Sequence, residues 1–364
     1  MKKLFYPLIL TIILLSACGK KNSPFAEKAA ENLKSSLEWR DKNTGVWETA
    51  GWWNSANLIT AVIRYSKVTG DTSLHRVIDD MFTRARNYYV AEEPPKESWT
   101  CVNFINEYYD DEGWWALAWI DAYNLIGDKK YLEVAQIIFD DLLKGIDTYC
   151  DGGVYWKKTE SKYKNSISNS LFSLTAARLY KCTGDKRYLE WFERNMAWFL
   201  DKGLINTETY FVEDGLGEGC VPNRDRHYTY NQGTAIGALT EMYLHNGDKK
   251  YLELAGKIAD ATINGPMTTE NGILREVNPE TDSSGDGVQF KGVFIRHLAL
   301  LNEVTKNPAY KDFIIKNAES IITDNYDAGS HSFGYLWYGP FEGPDSAANS
   351  SALECVIEAL ALTK

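Results

Sequence analysis

The sequence predicts an all-α protein, a closed (α/α)6 barrel of six helical hairpins. Two observations support this prediction: a short phrase that recurs about every sixty residues, and apolar helical segments that alternate with amphipathic ones. The phrase is a glycine followed by an aspartate, and in three copies two basic residues and Tyr-Leu-Glu come next. It stands at Gly70, Gly127, Gly184 and Gly247, with a degenerate fifth copy at Asn307.

Each copy of the phrase predicts the end of one helix and the start of the next. Glycine suits a left-handed C-cap, and the aspartate can cap the following helix. The segment before the phrase is apolar, as in 171–180, and the segment after it is amphipathic, as in 131–143. We therefore expect apolar inner helices that alternate with amphipathic outer helices. The inner helices are predicted to start near Asn54, Glu112, Ser168, Gln232, Lys291 and Asn349, and the outer ones near Pro24, Ser73, Lys129, Lys186, Lys249 and Pro308.

The connections between helices differ in length according to their direction. Turns from inner to outer helices are short, whereas outer-to-inner connections such as 43–53, 149–158, 210–230 and 331–343 are long and rich in glycine and aromatic residues. Long ordered loops are usually functional. We therefore expect a cleft at the end of the barrel where the inner helices begin. An open solenoid is the alternative architecture, but neither end of the array carries the polar capping repeat that solenoids need.

The N-terminal segment predicts export and a lipid anchor. Lys2 and Lys3 precede an almost wholly apolar run, which ends in Leu15-Ser16-Ala17-Cys18. This pattern is a secretory signal whose end resembles a bacterial lipobox, in which Cys18 becomes the lipidated first residue. An ordinary signal or membrane anchor with a chance cysteine is the alternative, although the run is short for a transmembrane helix. We expect a signal peptide at 1–17, a tether at 18–23 and one barrel domain at 24–364. The expected location is the outer membrane, facing the periplasm or exposed at the cell surface.

The composition argues against several partners and cofactors. The net charge is −11 and the chain has no basic run, which argues against binding to nucleic acid. We find neither metal-ligand spacing nor a phosphate-binding glycine loop, so no metal and no cofactor are expected. Cys101, Cys150 and Cys220 fall in predicted loops, and one disulfide among them is possible, although the sequence does not choose the pair. The protein is expected to be a monomer.

Asp110 and Asp111 are the candidate catalytic residues. They lie at the predicted start of the second inner helix, between two tyrosines and a tryptophan-rich stretch. Retaining glycosidases place two carboxyl groups roughly 5–5.5 Å apart, and neighbouring α-carbons are about 3.8 Å apart. Two aspartates in a bent segment before the helix could therefore face one anomeric carbon, one ionised and the other with a raised pKa. The alternative is that Asp111 is only a helix cap and Asp110 an exposed loop acid.

The run from Tyr108 to Trp119 resembles the signature of glycoside hydrolase family 76, whose members are endo-acting α-1,6-mannanases of (α/α)6 fold. The segments 230–233 and 290–296 resemble the same family at the starts of the fourth and fifth inner helices. The resemblance covers nearly all of the chain after the signal. It implies retaining cleavage of α-mannan or manno-oligosaccharides, with Asp110 as nucleophile and Asp111 as acid/base.

Aromatic and polar residues at the starts of inner helices are candidate sugar-binding residues. Aromatic rings stack on sugar rings, and amides and lysines bond to hydroxyl groups, while packing or capping is the alternative role for each. Asp286 and Asp345 are further acids at the same end, and Trp115 and Trp119 are expected in the core. The binding candidates are Trp52, Trp53, Asn54, Asn57, Trp114, Tyr230, Asn231, Gln232, Lys291 and Trp337.

Three other functions fit the predicted barrel. A sugar 2-epimerase would need histidine bases in the cleft, but only His227 and His331 fall in loops at that end. An unsaturated glucuronyl hydrolase would want a positive cleft, and the loops contain few arginines apart from Arg224, Arg226 and Arg275. A lipid-anchored glycan-binding protein would keep the aromatic loops but has no need of two close acids. The aspartate pair therefore favours the hydrolase.

Overall fold

The computed structural model describes residues 23–47, 49–90, 99–159, 162–224 and 226–364. The predicted signal peptide, Cys18 and the tether as far as residue 22 lie outside the described residues. None of the helices in the described ranges is both long enough and apolar enough to cross a membrane. These helices are α1 (Pro24–Glu38), α2 (Trp52–Thr69), α3 (His75–Ala85), α4 (Tyr109–Ile126), α5 (Lys129–Leu142), α6 (Ser166–Thr183), α7 (Lys186–Asp201), α8 (Thr229–Asn246), α9 (Lys249–Ile263), α10 (Pro279–Ser283), α11 (Gly287–Thr305), α12 (Pro308–Asp324) and α13 (Ser346–Thr363).

The inner helices α2, α4, α6, α8, α11 and α13 form a closed ring. Each contacts the next in this order, and α13 also contacts α2, which closes the ring. The prediction of an (α/α)6 barrel is confirmed. The burial patterns explain the two layers, since α13 is buried on every side from Ser346 to Leu360. By contrast, the outer helix α3 buries only the stripe Ile78, Met81, Phe82 and Ala85.

The recurring phrase ends and starts helices as the sequence predicts. Gly70, Gly127, Gly184 and Gly247 are left-handed C-caps with φ between 72° and 84°. In the fifth copy, Lys306 takes this conformation with φ of 53°. The residue after each glycine accepts a backbone hydrogen bond and so caps the next element: Asp71, Asp128, Asp185 and Asp248, with Asn307 in the fifth copy.

The inner helices begin two to four residues earlier than the sequence predicts. The helix α4, for example, begins at Tyr109 rather than near Glu112. Asp110 and Asp111 therefore lie inside the first helical turn, and the expectation of a bent segment before the helix is wrong. The physical reason is that the backbone N–H of Tyr109 bonds to the carbonyl of Trp156 at 3.0 Å, so that loop pairing and helix start overlap.

Short strands and one disulfide complete the end of the barrel that carries the long connections. The strands β1 (Asn87–Val90) and β2 (Trp99–Val102) pair antiparallel, as do β3 (Tyr326–Asp327) and β4 (Ser332–Phe333). Of the three loop cysteines, Cys150 and Cys220 form the disulfide, and Cys101 is a buried thiol. The bridge joins the connection after α5 to the connection after α7, which fixes two neighbouring walls of the cleft to each other.

Candidate active site

A cavity of about 890 Å³ opens at the end of the barrel where the inner helices begin. The starts of α2, α4, α8 and α11 contribute to it, together with the long connections. Its lining combines aromatic rings with carboxylates, a combination that suits a sugar substrate. The rings are Trp53, Tyr108, Trp114, Trp156, Tyr163, Tyr228, Tyr230 and Phe290, and the carboxylates are Asp110, Asp111, Asp214, Glu280 and Asp286.

Asp110 and Asp111 are half-buried and both line this cavity. The N-cap of α4 is Tyr108, which has an extended backbone and no capping side chain. The backbone N–H of Asp111 donates to Oδ1 of Asp110 at 3.1 Å. Neither aspartate is the N-cap, and neither is an exposed loop acid. The alternative, in which Asp111 is only a helix cap and Asp110 an exposed loop acid, is therefore wrong.

Each aspartate has its own hydrogen-bond donor. Nε1 of Trp156 donates to Oδ2 of Asp110 at 3.1 Å. Nδ2 of Asn106 donates to Oδ2 of Asp111 at 2.6 Å, while Oδ1 of Asn106 accepts from the backbone N–H of Tyr108 at 3.0 Å. The Asn106 amide is thereby fixed at both ends. The two carboxylates consequently lie in different surroundings although they are adjacent in the chain.

The segment 106–109 lies antiparallel to the segment 156–158, and this pairing brings Trp156 to Asp110. The N–H of Lys158 bonds to the carbonyl of Glu107 at 3.0 Å. Nζ of Lys158 lies 2.6 Å from Oε1 of Glu112, whose side chain is fully buried. Lys158 also pairs with Asp141. Glu112 is therefore a buried acid with its own cation, and it does not line the cavity.

Burial gives both carboxyls of this pair a higher pKa than surface aspartates have. Burial raises the pKa of Asp110 to about 7, against the lowering effect of its bonds from the Asp111 backbone and from Trp156. Burial, followed by the charge of Asp110, raises the pKa of Asp111 well above its usual range. Asp286 raises the pKa of both. The sequence predicts one raised pKa, whereas in the structure burial raises the pKa of both carboxyls.

Two aromatic pairs form walls of the cavity. The rings of Trp53 and Trp114 stack with their centroids 5.8 Å apart. Those of Tyr230 and Phe290 stack at 3.9 Å with planes 13° apart. Nε1 of Trp53 donates to Oδ1 of Asp286 at 3.0 Å, which ties the first pair to an acid across the cavity. Of the predicted binding residues, Trp53, Trp114 and Tyr230 thus lie together with the catalytic candidates.

The other predicted binding residues do not line the cavity. Trp52 packs on Trp115, with centroids 4.8 Å apart, and Trp115 and Trp119 lie in the core as expected. Both amide atoms of Gln232 bond to the backbone of Val212. The structure buries all seven of these predicted residues, which are Trp52, Asn54, Asn57, Asn231, Gln232, Lys291 and Trp337.

Other side chains of the same protein bond to the polar atoms of several buried candidates. Oδ1 of Asn57 accepts from Arg296 at 2.9 Å. Lys291 forms an ion pair with Asp282 and is fully buried, so it is neither a solvated end charge nor a cavity residue. Of the two further acids, Asp286 lines the cavity, whereas Asp345 caps α13 by accepting from the N–H of Ala348.

Asn106, Trp156 and Asp214 are site residues that sequence reasoning missed. Oδ2 of Asp214 accepts from the Tyr163 hydroxyl at 2.6 Å, and its Oδ1 accepts from Nδ2 of Asn231 at 3.1 Å. Trp156 and Asp214 both fall in long outer-to-inner connections, and the length of these connections was the feature of the sequence that could have identified them. Within the described ranges, no group of three or more histidine, cysteine or acidic residues is arranged to hold a metal ion.

The chain is similar to known proteins over most of its length. Residues 25–364 match the model of Glycosyl hydrolase family 76. The chain is 25% identical over 337 residues to a mannan endo-1,6-alpha-mannosidase of Saccharomyces cerevisiae, and the match covers 86% of this chain and 72% of that protein. It is 26% identical over 309 residues to a Candida albicans protein of the same name, and this match covers 78% of the chain but 64%, less than two thirds, of that protein. The solved α-1,6-mannanase of Salegentibacter sp. HEL1_6 superposes with a TM-score of 0.79 at 24% identity, covering 93% of this chain and 99% of that one.

Proposed function

Because the chain belongs to glycosyl hydrolase family 76 and is a glycoside hydrolase, we propose that it cleaves α-1,6-mannosidic bonds within mannan backbones. The observation that carries this proposal is the pair Asp110 and Asp111 in a large cavity lined by aromatic rings. The names of the yeast relatives, mannan endo-1,6-alpha-mannosidases, support the choice of substrate.

A solved relative supports the assignment of the acid pair. A variant of the Salegentibacter α-1,6-mannanase described as inactive carries alanine in place of two consecutive aspartates, and its structure contains α-1,6-mannotetrose. In this chain, Asp110 and Asp111 are consecutive and line the cavity together. We therefore assign to them the two carboxyl functions of a retaining glycosidase.

In the first step of the proposed reaction, Asp110 attacks the anomeric carbon and the bond to the leaving O6 oxygen breaks. Asp111 gives its proton to that oxygen, and a covalent glycosyl-enzyme remains. In the second step, Asp111 takes a proton from water, which attacks the anomeric carbon and releases Asp110. The N–H of Trp156 stabilises the ionised form of Asp110, and Asn106 orients Asp111. Burial raises the pKa of Asp111, which suits a residue that must start protonated.

The site geometry disfavours the three rival functions. His227 lies 2.9 Å from Glu213 and does not line the cavity, so an epimerase base is missing among the described lining residues. Arg226 is the one cationic side chain in the described lining, which also carries five carboxylates, so a uronate would be repelled. A binding protein would gain nothing from two adjacent half-buried acids, whose burial costs free energy.

The direct test of this function is digestion of unbranched α-1,6-mannan by a chain beginning at residue 19. The described fold begins at residue 23, so this chain retains the whole barrel. Internal cleavage predicts oligosaccharides of several lengths at early times. Release of mannose alone would contradict endo action, and binding without release would favour the glycan-binding alternative.

Replacing Trp156 tests the donor to the nucleophile. We expect Trp156→Phe to lower kcat by about tenfold to a hundredfold, because a hydrogen bond to a charged group contributes roughly 1.5–3 kcal/mol. The Trp156 hydrogen bond lowers the pKa of Asp110. Its loss raises that pKa, and the acid limb of the kcat/KM profile should move to higher pH. An unchanged limb would show that Trp156 only packs.

The pH profile of the wild type should be bell-shaped, because Asp110 must be ionised and Asp111 protonated. Activity should therefore fall below the pKa of Asp110 and above that of Asp111. Asp286 raises both pKa values, so Asp286→Asn should move both limbs to lower pH. The asparagine keeps an acceptor for Trp53. Because Asp286 is exposed, salt screens its charge, and the shift of the two limbs should be smaller at high salt. If neither limb moves at low salt, the assignment of the limbs to Asp110 and Asp111 is contradicted.

We further propose that the chain is exported as a monomeric lipoprotein anchored through Cys18 to the outer membrane. The apolar N-terminal run and the residues Leu15-Ser16-Ala17-Cys18 support the anchor. Cells that express the full chain should incorporate labelled palmitate into it, and Cys18→Ala should abolish the label. Labelling of the Cys18→Ala protein would contradict this site of lipidation.

A further inference from the structure

A second cavity, of about 400 Å³, lies outside the barrel interior. It is formed by α7, from Trp191 to Asp201, and by the connection that follows α5, and we call it the rim groove. Its lining includes Asp151 to Gly153, Trp191, Arg194, Trp198 and Asp201. It shares none of its described lining residues with the active-site cavity.

The floor of the rim groove is rigid. Gly152 and Gly153 have φ of 130° and 75°, and a Cβ on Gly153 would come within 2.4 Å of the Trp198 ring. The indole of Trp198 therefore packs directly on the glycine backbone. Its Nε1 donates to the carbonyl of Cys150 at 2.8 Å, and Cys150 is bonded to Cys220. A floor fixed in this way loses little freedom when a ligand binds.

Trp191 is the unusual residue of the rim groove. The outer helices α5, α7 and α9 share the phrase Tyr-Leu-Glu near their starts, and the next residue is Val134, Trp191 and Leu254 in turn. In α5 and α9 an aliphatic side chain therefore fills this position, so packing alone does not require a tryptophan there. The indole of Trp191 is half-buried beside the groove, and the Arg194 guanidinium lies 4.9 Å from its ring.

The polar groups of the rim groove balance in charge. The carboxylates of Asp151 and Asp201 are 85% and 78% exposed. Arg194 is the cation of the described lining. Lys202 lies outside that lining and neutralises Asp151, with its Nζ 2.7 Å from the carboxylate. Donors and acceptors therefore surround an indole without an excess of either charge. This chemistry suits a neutral, polyhydroxylated ligand, whose apolar ring face stacks while its hydroxyls bond to both kinds of group.

We propose that the rim groove is a second glycan-binding site, which holds a neutral mannan chain outside the segment being cleaved. Trp156 of the active site follows Gly153 by three residues, a distance of about 10 Å in extended chain. One long polysaccharide can therefore reach both sites, and its retention raises the local concentration of bonds to be cleaved. The identity of the ligand rests on the proposed α-1,6-mannan substrate.

Trp191→Leu tests this site, because leucine is the residue at the equivalent position of α9. In affinity electrophoresis through gels with unbranched α-1,6-mannan, the variant of the chain from residue 19 should bind about threefold to tenfold more weakly. Its kcat/KM for long mannan should fall similarly, while kcat/KM for α-1,6-mannotetraose should stay unchanged. Leu254→Ala, at the equivalent position of the next outer helix α9, is the matched control and should alter neither.

The other outcomes are decisive as well. Equal retention of wild type and Trp191→Leu would overturn the site. An equal loss on mannotetraose and on long mannan would also overturn it, because the change would then act through the active-site cavity. If the wild type cleaves no mannan but Trp191→Leu still weakens retention in the gel, the proposed hydrolysis fails while the second site stands.

Discussion

Replacement of either Asp110 or Asp111, the proposed catalytic pair, should abolish nearly all hydrolysis of α-1,6-mannan. We expect Asp110→Asn to lower kcat by at least about a thousandfold, because an amide cannot form the glycosyl-enzyme bond. Asp111→Asn should cost about 10²- to 10⁴-fold, since it removes the proton donor and the later base. The measurement is the release of reducing ends from mannan at saturating substrate.

The two variants should differ on an aryl α-mannoside, whose leaving group needs no proton. Asp111→Asn should form the glycosyl-enzyme from it, stall, and be accelerated by azide, which attacks without a general base. Asp110→Asn should not respond in this way. Asp345→Asn is the matched control, because asparagine can keep its role as the cap of α13. Full activity in either catalytic variant would contradict the assignment of the pair.

Replacement of the buried Lys291 should have the largest effect on stability. Lys291 and Asp282 are 0% and 2% exposed and form an ion pair. Oδ2 of Asp282 also accepts from the Tyr338 hydroxyl at 3.0 Å. Lys291→Met would leave a buried carboxylate without its cation, which costs about 3–5 kcal/mol. The free energy of unfolding in urea is the quantity to measure.

Two further variants separate this effect from a general loss of charge. The double variant Lys291→Met with Asp282→Asn removes both charges and should recover much of the stability. Lys250→Met removes an exposed lysine of the surface pair with Asp248 and should change little. A loss for Lys291→Met no larger than that for Lys250→Met would contradict the importance of the buried pair.

The fold was predictable because its information is local and repeated. Each glycine of the phrase ends a helix through its left-handed backbone, and each aspartate caps the next element through its side chain. The outer helices starting at Lys129, Lys186 and Lys249 begin where the sequence predicts. The starts of the inner helices were not predictable to the residue. Their first turns carry polar groups that bond to distant loops, as Tyr109 does to Trp156, and such pairing leaves no local signal.

The site was predictable only in part for a related reason. Asp110 and Asp111 are adjacent, so sequence alone placed them together. The donor Trp156 reaches Asp110 only through the antiparallel pairing of two segments that are far apart in sequence, whereas Asn106 lies five residues before Asp111. Polar residues at the start of an inner helix were also ambiguous, because successive side chains point about 100° apart. Of Tyr230, Asn231 and Gln232, Tyr230 alone faces the cavity.

The anomeric configuration of the first products tests the central claim most directly. Wild-type chain from residue 19 would digest unbranched α-1,6-mannan inside an NMR tube, and spectra would be taken before mutarotation equilibrates the products. Double displacement through Asp110 predicts new reducing ends that appear first in the α configuration. Initial products in the β configuration would mean that water attacks directly, and would contradict Asp110 as the nucleophile.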